Sequence, residues 1–367
     1  MLGKLRVFWQ RVSEGVAVQQ LWAQIHADAR MSYQLYAKDI DSTRQEGESG
    51  WGRIWRVARG LFWAMMMKLS PPRRVLLLIA LITLVLPRIQ FARGDVNIDS
   101  TALHFWGALI LLGLLLLELA DRVTMKRDLE IAREIQSWLM PSSAPTVAGY
   151  DIAFASRPAN TVAGDYYDAF FRNDETLLVV VADVAGKSIP AALLTATLQA
   201  SLRTLAALPG SLPELVDRVN RFACEQSLGG RRFTTAFLAE LEPATGRFTY
   251  INAGHNLPVL RRASGVTERF EAGGLPLGIS AGRKYESGAT TIERGDLLLI
   301  FTDGLVEAED MQSVEYGEER MLKQMGSLNN LDAKEALSRI MSSVDVFVGA
   351  ARQHDDITCL VLRRSSS

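Results

Sequence analysis

The pattern of apolar and polar positions divides this chain into an N-terminal third with long apolar runs and a C-terminal part with short ones. Residues 75–86 are twelve consecutive apolar or threonine residues, and residues 102–117 are sixteen residues interrupted only by His104 and two glycines. A helix needs about 20 mostly apolar residues to cross a bilayer, so the second run with its flanks is long enough and the first is short. Because a polar loop of hairpin length, residues 88–101, joins the runs, the pattern predicts a two-helix transmembrane hairpin over residues 74–120.

Charged residues flank the predicted hairpin unevenly. Basic residues lie on both outer sides: Arg53, Arg56, Arg59, Lys68, Arg73 and Arg74 before it, and Arg122, Lys126 and Arg127 after it. The connecting loop balances two arginines with two aspartates. The positive-inside rule therefore predicts a multi-pass membrane protein with both termini and the C-terminal part in the cytoplasm. A pair of buried helices in a soluble domain is the alternative interpretation.

Residues 1–73 are predicted as a helical region that is cytoplasmic or lies in the membrane interface. Residues 51–67 mix arginines with the aromatic residues Trp51, Trp55, Phe62 and Trp63. Such a basic amphipathic segment is typical of helices that lie in the lipid interface, so membrane lipid is an expected partner. An ordinary packed helix fits the same pattern.

Residues 121–145 are predicted as a linker helix that leaves the hairpin. Apolar residues recur there at spacings of three and four, as on one stripe of a helix: Met125, Leu129, Ala132, Ile135 and Leu139. A two-stranded coiled coil, which would make a homodimer, and a lone helix docked on the next domain both fit so short a stripe. Pro141 and Pro145 end the helix, and the following domain is placed at residues 146–364.

From residue 149 onward, short apolar and β-branched runs alternate with glycine-containing turns. They predict strands at residues 177–182, 235–241, 247–252, 297–302 and 357–362, and two segments with helical spacing predict helices at residues 189–205 and 212–227. The turn at residues 242–246 is typical of a β-hairpin, so at least part of the sheet is antiparallel. An α+β fold follows.

Composition narrows the classes of function. A formal net charge of −1 argues against a nucleic-acid partner, because no basic excess is present to replace the counterions of a phosphate backbone. The two cysteines, Cys224 and Cys359, are far apart in sequence, which favours a reducing, cytosolic compartment and a role as small buried apolar residues.

Four aspartates lie where separate apolar stretches of the C-terminal part meet a turn or a chain end: Asp165, Asp183, Asp303 and Asp355. One such aspartate is usually a turn former. Apolar segments that pack side by side bring their ends together, however, and four carboxylates gathered there would repel unless a cation neutralised them. Oxygen ligands suit hard divalent cations such as Mg²⁺ or Mn²⁺. The pattern therefore favours a metal-dependent hydrolase over a binding module.

The segments around these aspartates resemble the metal-dependent protein Ser/Thr phosphatases of the 2C type (PPM family), in particular their bacterial SpoIIE/RsbU-like branch. The resemblance rests on motifs in family order: DYYD (165–168), DVAGKSIPAA (183–192), NAGHN (252–256), PLG (276–278), TDG (302–304) and DDIT (355–358). Residues 130–141 also resemble the regulatory linker of that branch. The resemblance covers residues 127–363 and does not extend to residues 1–120.

The resemblance implies a four-layer α-β-β-α sandwich of two antiparallel sheets flanked by helices, preceded here by the transmembrane hairpin and the linker helix. It also implies two divalent cations, Mn²⁺ or Mg²⁺, at one end of the sandwich. By position, Asp183 would bridge both metals, and Asp303 and Asp355 would complete the shell of one. Asp165 and the backbone carbonyl of Val184 would serve the other.

Three further positions bear on the implied site. Asp168 and Asp356 neighbour the implied ligands, and each is expected to orient water or cap a turn rather than bind a metal. Ala163 stands where the family usually has glycine, which predicts a slightly crowded turn before Asp165.

The implied activity is hydrolysis of phosphoserine or phosphothreonine by direct attack of water. The implied substrate is a phosphorylated regulatory protein of the anti-sigma-factor antagonist type, and the implied location is the bacterial cytoplasmic membrane. Two alternatives stay open at this point. One is a catalytically silent membrane scaffold with the same fold, although all four ligand positions are acidic here. The other is a hydrolase of cyclic nucleotides or other small phosphoesters.

Overall fold

The computed structural model describes residues 59–60, 62–63, 66–85, 90–93, 96–99, 101–173, 175–186, 189–227, 232–271, 273–329 and 331–365. The helical region predicted at residues 1–73 therefore lies largely outside the described residues. The chain forms two compact units, Met1–Val123 and Thr124–Ser367, and each is described by itself.

The first unit contains a helical hairpin. Helix α1 (Pro71–Val85) is followed by the antiparallel strands β1 (Gln90–Arg93) and β2 (Val96–Asp99) and then by the start of helix α2 (Thr101–Leu139). The two helices approach closely at small residues, since Ala80 is fully buried and a Cβ added to Gly107 would collide with the side chain of Thr83. An ion pair of 2.6 Å between Arg73 and Asp121 also joins the two helices.

The predicted membrane crossing is supported unevenly by the two helices. Among the described helices, α2 alone is long and apolar enough to cross a bilayer by length and composition. Helix α1 has 15 residues, fewer than the roughly 20 that a full span needs. Both expose large apolar side chains, such as Ile82 and Leu116. The helical hairpin is present, and its insertion into a membrane stays a prediction.

The second unit is built on two five-stranded antiparallel sheets. Sheet A has the order β10-β7-β6-β5-β4, with strands β4 (Asp165–Asn173), β5 (Thr176–Val184), β6 (Thr234–Glu242), β7 (Arg247–Ala253) and β10 (Gly288–Thr291). Sheet B has the order β3-β12-β11-β8-β9, with strands β3 (Tyr150–Arg157), β8 (Val259–Arg261), β9 (Thr267–Arg269), β11 (Leu297–Phe301) and β12 (Ile357–Arg364). All five predicted strands are present.

The central strands are apolar on both faces because both faces are buried. In β5, Val179 and Val181 face the core between the two sheets, whereas Leu178 and Val180 face the helices outside sheet A. Strands covered on both sides carry continuous apolar runs rather than an alternating pattern. Burying each such side chain contributes about 1.5–3 kcal/mol, so these strands fix the order of the layers.

Four helices cover the outer faces of the sandwich. Sheet A packs against α3 (Ile189–Ala206) and α4 (Leu212–Gln226), and sheet B packs against α5 (Gly317–Gly326) and α6 (Ala333–Val348). Helix α6 begins at Asp332, whose carboxylate accepts a 2.7 Å hydrogen bond from the backbone N–H of Glu335, as an N-cap does. The predicted arrangement of two antiparallel sheets flanked by helices is confirmed.

Candidate active site

One half of the candidate site lies at the edge of sheet A where β4 begins and β5 ends. Because these strands are antiparallel neighbours, their register places Asp165 directly opposite Asp183. Asp165 is 2% exposed, and the backbone N–H of Val184 donates to the carbonyl of Gly164 at 3.3 Å. Like charges directly opposite each other destabilise a sheet. This pair therefore needs a compensating positive charge or a proton.

The other half lies in sheet B, where the end of β11 meets the start of β12. A short 3₁₀ helix, Asp303–Leu305, follows β11, and Asp355 precedes β12. One carboxylate oxygen from each of Asp303, Glu307 and Asp355 lies within 4.8 Å of the other two. All three side chains are at least partly exposed. The structure thus brings together the two predicted aspartates of this half and adds a glutamate.

Glu307 is a candidate ligand that the sequence motifs did not single out. Its backbone N–H donates to the carbonyl of Asp303 at 2.9 Å, so one helical turn separates the two residues. Residues four apart on a helical turn lie on one face. The four-residue spacing between Asp303 and Glu307 was therefore the signal in the sequence that could have identified Glu307.

Thr302 joins the two halves. Its hydroxyl donates to a carboxylate oxygen of Asp165 at 2.9 Å, and the hydroxyl oxygen of Thr302 accepts the backbone N–H of Thr358 at 3.0 Å. Thr302 and Thr358 are fully buried; Thr302 directly follows β11 and Thr358 lies in β12, both strands of sheet B, whereas Asp165 belongs to sheet A. The four predicted aspartates consequently occupy the same end of the sandwich.

The electrostatics of Asp165 follow from this setting. Burial raises the pKa of Asp165 well above its usual value, and the neighbouring charges of Asp183 and Asp356 raise it further. Hydrogen bonds from Thr358 and Thr302 act in the opposite direction. A buried carboxylate opposite another one is favourable only when a cation or a proton neutralises the pair.

The donor groups fit divalent cations. They are carboxylates and a backbone carbonyl, which are the ligands that Mg²⁺ and Mn²⁺ prefer. A Cβ added to Gly164 would lie 3.1 Å from the carbonyl oxygen of Val184 and 3.6 Å from a carboxylate oxygen of Asp183. The missing side chain at Gly164 therefore leaves open a cradle, lined by Asp183 and the Val184 carbonyl, whose oxygen atoms would suit a divalent cation.

Asp168 and Asp356, the two aspartates that neighbour the implied ligands, make hydrogen bonds within the protein. Asp168 is fully buried and accepts hydrogen bonds of 2.8 and 2.9 Å from the guanidinium of Arg203 in α3. Asp356 accepts 2.6 Å hydrogen bonds from the backbone N–H groups of Ala159 and Gly164. Asp356 therefore caps the turn that leads into Asp165.

The segment at residues 252–256 supports the site from behind. The amide of Asn252 donates to the carbonyl of His255 at 3.0 Å and accepts its N–H at 2.7 Å, which closes a tight loop. The His255 ring lies 3.2 Å from the hydroxyl of Thr235, the residue that pairs with Asp183 across the sheet. Burial lowers the pKa of His255 to about 4, so its imidazole is neutral at physiological pH.

The chain is similar to a known protein family and to individual proteins of known structure or activity. The sequence profile of the family described as Stage II sporulation protein E (SpoIIE) matches residues 173–365. The chain belongs to the SpoIIE family. The matched span includes Asp183, Asp303 and Asp355, whereas Asp165 lies just before it.

Individual relatives agree with the SpoIIE assignment. The chain is 31% identical to the phosphoserine phosphatase RsbU of Bacillus subtilis over 250 residues, which cover 65% of this chain and 71% of RsbU. The fold is similar to the SiaA-PP2C domain of Pseudomonas aeruginosa, with a TM-score of 0.60 and 18% identity, covering 66% of this chain and 98% of that domain. It is also similar to the RsbU and RsbW domains of a Mycobacterium tuberculosis protein, with a TM-score of 0.53 and 26% identity, covering 62% of this chain and 63% of that one.

The predicted family and enzyme class, a protein phosphatase of the SpoIIE/RsbU-like branch, are confirmed by these comparisons. The assignment of individual metal ligands stays a prediction, as do the domain boundaries at residues 73/74, 120/121 and 145/146.

Proposed function

We propose that this protein is a membrane-anchored, metal-dependent phosphatase that removes phosphate from serine or threonine of a regulatory partner protein. The observation that carries the proposal is the hydrogen bond from Thr302 in sheet B to Asp165 in sheet A. It unites two carboxylate pairs at one end of the sandwich, Asp165 with Asp183 and Asp303 with Asp355. Such a group of oxygen ligands is suited to two divalent cations.

The residues divide the work of holding those cations. By its position in the family motifs we assign Asp183 the bridging position, with Asp165 and the Val184 carbonyl on one side. Asp303 and Asp355 complete the other side, with Glu307 next to them. When bound, Mn²⁺ or Mg²⁺ supplies positive charge for the phosphoryl oxygens and an acidified water for in-line attack.

The surrounding side chains fix this arrangement before the substrate arrives. Thr302 orients the Asp165 carboxylate, and Asp356 holds the preceding turn through the Gly164 N–H. Catalysis by fixed charges that match the developing transition state requires such pre-organisation.

The membrane anchor is proposed from the hairpin of the first unit. Its α2 helix satisfies the length and composition of a membrane span, and the flanking charges predict cytoplasmic termini. Extraction of cell membranes with alkaline carbonate tests the anchor: the full chain is expected in the pellet. Release of the folded chain into the supernatant would contradict it.

The linker end of α2 supports the proposed homodimer. One face of this helix, which includes Leu129, Ala132 and Leu139, is at least half-buried, as expected for a helix docked on the sandwich. The apolar residues of another face are exposed: Ile131, Ile135 and, at 74%, Trp138. An exposed apolar stripe of this spacing suits a second copy of the same helix. We propose that movement of this helix transmits a membrane signal to the site.

The proposed substrate is a phosphorylated regulatory protein of the anti-sigma-factor antagonist type. The relative named phosphoserine phosphatase RsbU supports a phosphoserine substrate, and the antagonist type is proposed from the resemblance to the SpoIIE/RsbU-like branch. The test is phosphate release by the detergent-purified full chain with Mn²⁺, from a phosphoserine protein and from cyclic nucleotides in parallel. We expect turnover of the phosphoprotein to exceed that of the nucleotides at least about tenfold. Preference for nucleotides would overturn the substrate class, and no turnover by folded, Mn²⁺-bound protein would favour a silent scaffold.

A further inference from the structure

Gln136 is a buried glutamine near the end of a helix whose other described residues there are exposed or only half-buried. It lies near the end of α2 and is 8% exposed, whereas Ile135 and Ser137 on either side of it are exposed. A buried side-chain amide has two donors and an acceptor oxygen to satisfy. Its partners therefore show what this helix end holds.

Both polar ends of the Gln136 amide bind the backbone of one residue, Ala163. The side-chain NH₂ donates to the Ala163 carbonyl at 2.8 Å, and the side-chain oxygen accepts the Ala163 N–H at 2.9 Å. The amide thus imitates a neighbouring β-strand and fixes the peptide groups on both sides of Ala163. Only one orientation of the amide satisfies both bonds.

Ala163 lies two positions before Asp165 in the turn of residues 163–165. Gly164, the residue between Ala163 and Asp165, is held by two other elements. Thr195 donates to the Gly164 carbonyl at 2.7 Å, and Asp356 accepts the Gly164 N–H at 2.6 Å. Thr195 and Asp356 belong to the sandwich and its flanking helices. Gln136 belongs to the helix that precedes the sandwich.

We propose that Gln136 is a positioning residue for the cation held by Asp165 and the Val184 carbonyl. This inference rests on the proposed function and adds to it the contact that links the helix end to the site. With the amide in place, the turn of residues 163–165 holds Asp165 opposite Asp183. Loss of the contact frees the turn on one side and weakens the binding of that cation. The group of Asp303, Glu307 and Asp355 still binds its own cation.

A purely structural role for Gln136 makes a different prediction, and the chain offers a matched control. Gln199 of α3 donates from its side chain to the carbonyl of Leu139 at 3.2 Å, at the same end of the same helix. Gln199 makes no hydrogen bond to the turn of residues 163–165 among the bonds of the described residues. If docking of the helix alone mattered, Gln199→Ala and Gln136→Leu would act alike.

The experiment is Mn²⁺ titration of the full chain in detergent, followed by calorimetry, with thermal unfolding of each variant at saturating Mn²⁺. We expect Gln136→Leu, which keeps the side-chain volume, to weaken one of two binding events about 10- to 100-fold, as loss of supporting contacts to metal ligands does. The affinity of the second binding event should change less than about twofold. Gln199→Ala should leave both events within that limit. Gln136→Asn, whose amide is one methylene too short to reach both atoms, serves if Gln136→Leu does not fold.

Three results would overturn the inference: unchanged affinities in the Gln136 variants, equal weakening of both events, or an equal effect of Gln199→Ala. Failure of the proposed function looks different. In that case the wild-type chain itself binds no Mn²⁺ or hydrolyses no phosphoprotein.

Discussion

The two halves of the candidate site are built differently. The Asp165 carboxylate is 2% exposed and receives a hydrogen bond from the opposite sheet, and backbone contacts hold the turn before it. In the other half, Asp303, Glu307 and Asp355 are partly exposed or exposed; Asp303 and Glu307 lie at a short 3₁₀ helix, and Asp355 precedes β12. One half is therefore a framed, buried position, and the other is a group of carboxylates open to solvent.

This difference indicates where the site is sensitive. A buried ligand keeps its position only while the groups around it keep theirs, so small changes near Asp165 should cost much. Exposed charges are screened by water and interact weakly with one another. Changes at the sheet B half that leave Asp303 and Asp355 intact should cost little.

Among changes that leave the four predicted aspartates intact, the largest effect is expected from Gly164→Ala. The added Cβ would lie 3.1 Å from the carbonyl oxygens of Val184 and Gly186, so one of these backbone groups must move by a few tenths of an ångström. Phosphatase activity should fall about 10- to 100-fold, since small displacements of supporting groups have effects of that size. Gly282→Ala is the control, because a Cβ there meets nothing within 4 Å. Equal activity of both variants would show that the cradle is not tightly set.

A smaller effect is expected from Thr302→Val, which keeps the shape of the side chain and removes its hydroxyl. Asp165 loses a donor, and the N–H of Thr358 loses its acceptor. A hydrogen bond to a charged group contributes about 1.5–3 kcal/mol, so affinity for one Mn²⁺ should fall roughly tenfold or more. Thr302→Ser retains the hydroxyl and should bind Mn²⁺ nearly as the wild type does in calorimetry. Matching losses in both variants would remove the proposed role of the hydroxyl.

Glu307→Gln tests the open half and should have a modest effect. It removes one negative charge from the group with Asp303 and Asp355. Exposed charge interactions contribute about 0.2–1 kcal/mol, so Mn²⁺ affinity of this half should weaken less than about fivefold. Glu319→Gln, an exposed glutamate of α5, controls for net charge. A loss of Mn²⁺ affinity above a hundredfold would make Glu307 as sensitive as the buried ligands and would contradict the difference between the two halves.

The smallest effect at neutral pH is expected at His255, in the frame behind Asp183. Its pKa is lowered from 6.5 to about 4 by burial, so the unfolded chain binds the extra proton first as the pH falls. The resulting stability is fully present above about pH 6.5 and is lost towards pH 4, by about 3 kcal/mol in total. Urea unfolding of the wild type and His255→Gln between pH 7.5 and 4.5 should show a steeper decline for the wild type. Parallel curves would contradict a neutral buried imidazole.

The sequence pattern was sufficient for the α+β class and for five of the strands, and the family resemblance supplied the arrangement of two stacked sheets. Long apolar runs such as residues 177–182 and 297–302 are strands buried on both faces, and this produces a strong signal. Strands β3, β4, β8, β9 and β10 were not predicted, and of these β8 and β9 have only three residues each. Too few side chains alternate in such short strands to give a period.

The supporting contacts could not be predicted from the pattern. Gln136 and Ala163 are 27 positions apart, and Thr302 and Asp165 are 137 apart. Nothing in either local sequence specifies the pairing, because it depends on how the helix and the two sheets pack. Glu307 was within reach of inspection through its spacing from Asp303, yet that spacing alone does not separate a ligand from a solvated charge.

Phosphate release from a phosphoserine protein by the detergent-purified full chain at increasing Mn²⁺ tests most directly whether the four aspartates hold catalytic cations. The wild type should require the metal, and Asp183→Asn and Asp303→Asn should each lose more than about a hundredfold in activity, beyond the loss expected for supporting residues. Asp217→Asn, which removes an exposed carboxylate paired with Arg221 on α4, should match the wild type. Hydrolysis without metal, or full activity in a folded Asp183→Asn variant, would contradict a site in which Asp183 bridges two cations.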